Sequence, residues 1–330
     1  MLVQLGLLAG SLLMLTSGAE GLVRGSVALA KRLGVSSFFI GLTIVGFGTS
    51  TPELATSVTA AVRGSADIAV GNVVGSNICN IALILGVASL ICPIALRLDV
   101  VRREVLVVIT VAFVPWIALT SGGRLERWQG AVMLAGLAAY LWVGYARGRR
   151  EAEHEAEAER ELEHELGLDR AGSLTRPLVG AALVVIGLVL LVGGSYGLVA
   201  SASEIARGLG VSELVIGLTI VAVGTSAPEL FTSVVAAVRG QPDLAVGNVL
   251  GSNVFNVLGI LGLTCVVTPQ AVSPRVLAFD VPVMVVASVA CLPIMLSGAR
   301  ISRLEGGLFL CGYVLYVVAL FTSAVGWFVR

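Results

Sequence analysis

Two stretches of 46 residues constrain this chain more than any other feature. Gly41–Gly86 and Gly217–Gly262 align without a gap, each residue of the first meeting its partner 176 positions later, and 32 of the 46 pairs are identical. Each copy sets Gly-Thr-Ser-x-Pro-Glu inside an apolar segment, at Gly48–Glu53 and Gly224–Glu229. Each then sets Gly-Asn-x-x-Gly-Ser-Asn-x-x-Asn inside the next segment, at Gly71–Asn80 and Gly247–Asn256. Polar residues embedded that deeply are costly, which marks them as functional. A duplicated polar site on interrupted apolar segments is the mark of a transporter built from internal repeats.

The solvent for most of this chain is lipid. Of its 330 residues 57% are apolar and only 13% charged, with a mean hydropathy of +0.98. A soluble domain carries about twice that share of charge. Apolar runs long enough to cross a bilayer, about 20 residues each, recur along nearly the whole length. The fold class is therefore an all-α polytopic membrane protein; a transmembrane barrel would show short alternating segments instead. A formal net charge of zero gives nucleic acid no purchase. Cys79, Cys92, Cys265, Cys291 and Cys311 lie in apolar surroundings without a CxxC pair and read as small hydrophobes, not as disulfides or ligands.

The first apolar run, Met1 to about Val23, lacks the basic start of a signal peptide. It also aligns without a gap to Ile186–Val199 in the second half, so it reads as a membrane helix. Further helices are predicted from Ser36, interrupted at Thr49–Glu53, then over Asp67–Ile91, Val100–Thr120 and Leu125–Tyr145. The second half repeats the plan over Pro177–Ala206, Ser212–Arg239, Pro242–Val267, Val276–Leu296 and Leu304–Val329. That makes ten transmembrane helices, with helices 2 and 7 broken at the polar motif. An odd number per repeat sends the second copy in from the opposite side, so the two five-helix halves are inverted.

The halves are residues 1–146 and 177–330. Between them residues 147–176 form an acidic connector whose glutamates, with His154 and His164, show no fixed ligand spacing and read as a solvated face. With the N-terminus outside, cytoplasmic segments hold 15 of the 21 lysines and arginines. The positive-inside rule thus predicts both termini outside and the connector in the cytoplasm. Glu20, opposite Tyr196 in the repeat, breaks the symmetry.

The motif chemistry points to a cation. Pro52 has no amide proton and clashes with the carbonyl four residues back, so the helix breaks there. Carbonyls from Gly46 to Thr49 are then expected to lack helical partners, and in lipid something must satisfy them. Thr49, Ser50 and Glu53 project oxygens into the same region, as do Thr225, Ser226 and Glu229 after Ala222 and Gly224. Ser50-Thr-Pro-Glu53 also fits a capping box with proline in the first turn, which needs no ion. Glutamine serves a capping box equally well, however, and an unpartnered carboxylate near the bilayer centre costs roughly 3 kcal/mol. Neither motif contains a lysine or arginine, so a bound cation is the compensation the two carboxylates require. On the following helices Asn72, Ser76 and Asn80, and their counterparts Asn248, Ser252 and Asn256, recur every four residues on one face. Helix packing through small and amide side chains is the alternative use of that face. Oxygen donors without thiolate or imidazole suit Ca2+, Mg2+ or Na+.

At GTSTPE with GNVVGSNICN, and GTSAPE with GNVLGSNVFN, the sequence resembles the two alpha-repeats of the sodium/calcium exchanger family, within the cation/Ca2+ antiporter superfamily. The match extends over nearly the whole chain, and the short connector is similar to that of compact prokaryotic members. The resemblance implies a secondary antiporter in a prokaryotic inner membrane, exchanging Ca2+ for Na+ by alternating access, with Ca2+/H+ antiport and a cation channel as the other readings. It implies Ca2+ ligation by Glu53 and Glu229, aided by Thr49 and Thr225. It implies Na+ sites that share those glutamates with Ser50, Ser226, Ser76, Ser252 and backbone carbonyls near Gly46 and Ala222, with Asn80 and Asn256 completing the centre. Potassium-dependent relatives carry aspartate at the position of Asn256, so the amide implies K+ independence. No cofactor is implied, since both cations are cargo. Both histidines lie in the connector, so no Ser/His or Cys/His constellation supports an intramembrane hydrolase.

Overall fold

In the computed structural model, which describes residues 2–166, 177–211, 216–296 and 298–328, helices dominate. The first half holds α1 (Leu2–Leu33), α2 (Ser37–Thr49), α3 (Thr51–Val62), α4 (Ala66–Ile91), α5 (Leu98–Ala112) and α6 (Arg127–Leu166). The second holds α7 (Pro177–Gly208), α8 (Thr219–Thr225), α9 (Ala227–Val238), α10 (Pro242–Val267), α11 (Val276–Leu296) and α12 (Arg303–Phe328). Four two-residue strands lie between helices: β1 (Ile94–Ala95), β2 (Arg124–Leu125), β3 (Gln270–Ala271) and β4 (Arg300–Ile301).

Among the described residues seven single helices are long and apolar enough to cross a membrane, and nine spans result if each bent pair counts as one. The bent pairs are α2–α3, at 46°, and α8–α9, at 53°. The segment expected as the fourth span does not form one α-helix. Pro115 lacks an amide proton, so α5 stops at Ala112 and the chain continues as a 3-10 turn over Val114–Ser121. Other bounds also shift. Helix α1 continues past Val23 to Leu33, carrying Arg24, Lys31 and Arg32 on its last turns, and ends where Gly34 adopts φ 61°. Helix α6 continues unbroken beyond Tyr145 into the acidic connector as far as Leu166; residues 167–176 lie outside the described part.

Burial separates a core from a periphery. The membrane windows of α4 and α10 are 72% and 83% buried, against 22% for α1 and 11% for α12. The two central helices are therefore those that carry the Asn/Ser motifs. Helix α2 is pressed against α10 through glycines. A methyl group on Gly251 would lie 2.2 Å from the Leu42 carbonyl oxygen, and one on Gly247 would lie 2.5 Å from that of Phe38. Helices α1 and α7 pack along each other in the same manner, Gly25 against the Gly180 carbonyl and Gly18 against that of Gly187.

The repeat shows in the ladders too. β1 pairs antiparallel with β4 through Ile94 and Ile301, and β2 with β3 through Leu125 and Gln270. Adding 176 to the first member of the first pair and subtracting it from the second gives the second pair. Wide π-helical turns also recur at matched positions, Gly41–Val45 with Gly217–Val221 and Cys79–Ile84 with Phe255–Leu261. Such turns concentrate at functional sites because they re-aim side chains.

The backbone contact at Gly251 cannot relax by a rotamer change. Gly251→Ala is expected to destabilise the purified protein by about 2 kcal/mol or more. Gly6→Ala, where nothing stands within 4 Å, should leave stability unchanged or slightly raised. Thermal melting in detergent compares the two.

Candidate cation site

Each broken helix turns on one residue. Ser50 (φ −80°, ψ 10°) separates α2 from α3, and Ser226 (φ −86°, ψ 7°) separates α8 from α9, with proline in the first turn that follows. Both serines occupy N-cap positions, yet neither side chain caps its own helix. The Ser50 hydroxyl instead donates to Glu229 Oε1 at 2.8 Å, and the Ser226 hydroxyl donates to Glu53 Oε1 at 3.1 Å. The capping alternative therefore describes the backbone and not the side chains. Each carboxylate is held by the serine of the other repeat, which brings both glutamates, each 1% exposed, to one place between the halves.

Spending its proton on a carboxylate leaves a serine oxygen with lone pairs to offer. The glutamates keep more. Among the described residues Glu53 Oε2, Glu229 Oε2, Asn80 Oδ1 and Asn256 Oδ1 are all buried acceptors without a hydrogen-bond partner. Buried polar atoms are almost always satisfied, so four unpartnered oxygens at repeat-matched positions call for a ligand. A proton donor or a hard cation meets that demand, and a cation also balances two buried negative charges that lack a lysine or arginine in their motifs. No group of three or more His, Cys, Asp or Glu placed to hold a metal ion exists among the described residues, so the donor set is mixed: two carboxylates with hydroxyls and amides. Such hard-oxygen sets fit Ca2+ and Na+.

The other expected ligands fall in place unequally. Thr49 is fully buried, its hydroxyl 3.0 Å from the Val45 carbonyl and 3.2 Å from Asn248 Oδ1. Thr225 stands beside Glu53 as Thr49 stands beside Glu229. Ser76 and Ser252 are buried on α4 and α10, and Ser252 Oγ donates to the Gly46 carbonyl at 3.3 Å. That carbonyl also accepts from Ser50 N at 3.2 Å, so the expectation that it lacks helical partners is corrected: Ser50, two residues before Pro52, still has an amide proton to give. Ala222 opens the short segment Ala222–Thr225 at the position matching Gly46. Asn72 and Asn248 are bracing groups. Their amides donate to the Glu53 and Glu229 carbonyls, at 3.1 and 3.3 Å, and to Ser57 and Ser233, at 2.8 and 2.9 Å.

Two kinds of residue escaped the sequence reading. Asn77 and Asn253 sit inside the duplicated motif, but a period of four steps over them; their identity in both copies was the available signal. Ser195 on α7 donates to the Gly224 carbonyl at 2.7 Å, which Pro228 cannot serve for want of an amide proton. Its repeat partner is Ala19, so no repeat signal existed.

Comparison with known proteins gives a consistent result. The family model for "Sodium/calcium exchanger protein" matches residues 3–146 and 179–322. The putative antiporter CaxA of Alkalimonas amylolytica is 37% identical, covering 94% of this chain and 97% of that protein. The sodium/calcium exchanger MaX1 of Methanosarcina acetivorans is 34% identical, covering 94% and 96%. A solved structure of the sodium-calcium exchanger NCX_Mj soaked with 10 mM Na+ and zero Ca2+ superposes with a TM-score of 0.81 at 30% identity, over 97% of this chain and 99% of that one.

The crossed Ser–Glu bonds make a specific forecast. Ser50→Ala leaves Glu229 without its donor and is expected to weaken Ca2+ binding about tenfold, as losing a ligand's partner does elsewhere. Ser226→Ala should act alike through Glu53, and titration calorimetry measures both.

Proposed function

Because this chain belongs to the sodium/calcium exchanger family, we propose that it is a secondary antiporter exchanging Ca2+ for Na+ across a prokaryotic inner membrane. The observation that carries this reading is the set of four buried oxygens without a hydrogen-bond partner among the described residues, from Glu53 and Asn80 in one repeat and Glu229 and Asn256 in the other. Ca2+ and Na+ compete for that one set, completed by Thr49, Thr225, Ser50, Ser226, Ser76, Ser252 and the backbone at Gly46 and Ala222. One Ca2+ neutralises the two carboxylates; Na+ must do so with at least two ions. Coupling follows, because the two glutamates cannot be neutralised by both cargos at once. Members of this family are transporters, not enzymes.

Na+ is favoured over H+ as the counter-ion by the donor inventory. A proton needs only the carboxylates, whereas Na+ needs a cage of neutral oxygens such as the serines and asparagines supply. A channel is disfavoured because paired carboxylates hold a divalent ion too firmly for rapid exit.

The strand ladders support ten crossings in two inverted halves, residues 1–146 and 177–330 around the connector 147–176. Paired strands must lie on one side of the membrane. Counting the composite segment of α5 and its 3-10 turn as a crossing puts β1 with β4 and β2 with β3 on matching sides. Leaving it out would place β1 and β4 on opposite sides, although they are paired. The positive-inside count then orients both termini outside and the connector in the cytoplasm. Alternation moves α1 and α7, which pack as a pair and hold none of the proposed ligands, past the core of α4 and α10. Glu20 bridges Arg24 on its own helix and Arg239, 2.8 Å away at the end of α9, so on this reading it ties the moving helix to α9 on the cytoplasmic side.

The first test is Ca2+ uptake into proteoliposomes under an outward Na+ gradient, with Glu53→Gln as control. Uptake should require Na+ and vanish in Glu53→Gln; uptake driven by a proton gradient without Na+ would reassign the counter-ion, and uptake by Glu53→Gln would refute the site. In a protein stripped of its native cysteines, linking cysteines at positions 20 and 239 with a short bismaleimide should halt exchange. Full activity after complete linkage would rule out movement of α1 against α9.

A further inference from the structure

Four asparagines meet between α4 and α10, each 3% exposed or less: Asn77, Asn80, Asn253 and Asn256. Asn80 Nδ2 donates to Asn253 Oδ1 at 3.1 Å, and Asn256 Nδ2 donates to Asn77 Oδ1 at 3.0 Å. Both bonds cross from one repeat to the other, and they are images of each other under the 176-residue offset. Asn77 Nδ2 further donates to the Asn253 carbonyl at 3.1 Å.

A primary amide has an acceptor end and a donor end of nearly equal size. Half a turn about its last torsion exchanges them, and that torsion is broad and roughly two-fold. For a cation site the difference is decisive, since the oxygen attracts the ion and the amide hydrogens repel it. Nothing within Asn80 or Asn256 selects the useful orientation. The two cross-repeat bonds do select it: holding each nitrogen leaves each oxygen turned the other way, and Asn80 Oδ1 and Asn256 Oδ1 are the buried oxygens left without a partner. From this geometry we propose that Asn77 and Asn253 are positioning residues, which lock the amides of Asn256 and Asn80 oxygen-forward toward the transported cation. The proposal rests on the reading of Asn80 and Asn256 as cation ligands.

The arrangement also joins the repeats. The ligand of one half is aimed by a residue of the other, so a shift of α4 against α10 disturbs both amide oxygens together. Asn77 is engaged at its donor and acceptor ends, whereas Asn253 Nδ2 has no partner among the described residues. Loss of Asn77 should therefore cost more than loss of Asn253. Amides that merely glued two helices together would stabilise the fold without reference to Asn80 or Asn256.

Double-mutant cycles read by Ca2+ titration calorimetry on the purified full-length protein separate these roles. Asn253→Ala and Asn77→Ala are each expected to weaken Ca2+ binding about tenfold or more, the range known for partners that orient metal ligands. On an Asn80→Ala background, Asn253→Ala should cost less than about twofold more, while on an Asn256→Ala background it should cost its full amount; Asn77 should show the converse pattern. Additive losses in all four combinations would overturn the proposal and leave a packing role. If Asn80→Ala and Asn256→Ala bind Ca2+ as the parent does, the ligand reading itself fails, and the proposal with it. Should the alanine proteins not fold, Asn77→Leu and Asn253→Leu keep the branched side-chain shape, with bulkier ends, without the hydrogen bonds and carry the same cycles with the same expected pattern.

Discussion

Everything at the centre of this protein depends on a pair of carboxylates that have no lysine or arginine in their motifs. Burying Glu53 and Glu229 at 1% exposure is costly unless something answers their charge. The surrounding structure supplies orientation and not neutralisation. Serine hydroxyls from the opposite repeat hold one oxygen of each, asparagines from α4 and α10 brace the backbone behind them, and the second oxygen of each remains available. On the proposed function the cargo completes this site, as a secondary transporter requires, since an internal arginine would satisfy the same charges permanently.

The breaks in α2–α3 and α8–α9 follow from the same demand. Only an interrupted helix can bring a serine to the far carboxylate while keeping the glutamate in the first turn of the next segment. Proline ensures the interruption, and the freed carbonyl in the second copy is taken up by Ser195. The glycine contacts between α2 and α10 serve this geometry by letting the backbone at Leu42 approach Gly251 directly. Exchange therefore draws on packing and chemistry that are hard to separate: a methyl group on Gly251 would push the break, and with it Ser50, away from Glu229.

Asymmetry is concentrated at the periphery. The Ser–Glu, Asn–Asn and backbone-bracing bonds at the site come in repeat-related pairs, whereas the bond from Asn77 Nδ2 to the Asn253 carbonyl has no image among the described residues, Glu20 has Tyr196 as its counterpart, and Ser195 has Ala19. The Glu20–Arg239 ion pair joins the two halves but has no repeat image, because Tyr196 stands where the second carboxylate would be. A nearly symmetric centre can present equivalent sites to both sides of the membrane, while unequal outer contacts distinguish the two sides.

The amino-acid sequence by itself determined the class, the repeat and the glutamates, because lipid as solvent makes every embedded polar residue conspicuous. It also placed Ser50, Ser226, Asn80 and Asn256 among the candidates, since a gapless duplication isolates what both halves retain. The tertiary structure alone decided who partners whom. That Ser50 serves Glu229 instead of capping its own helix, that Asn72 and Asn248 brace backbone, and that Asn77 and Asn253 grip the neighbouring amides are facts about contacts across 170 residues or more, or between packed helices. The fourth span shows the same limit in reverse. Hydropathy reads Val100–Thr120 as one helix, whereas the backbone at Pro115 divides it into an α-helix and a 3-10 turn. Hydropathy counts apolar surface and cannot register a missing amide proton, but hydrogen bonding inside the folded protein depends on it.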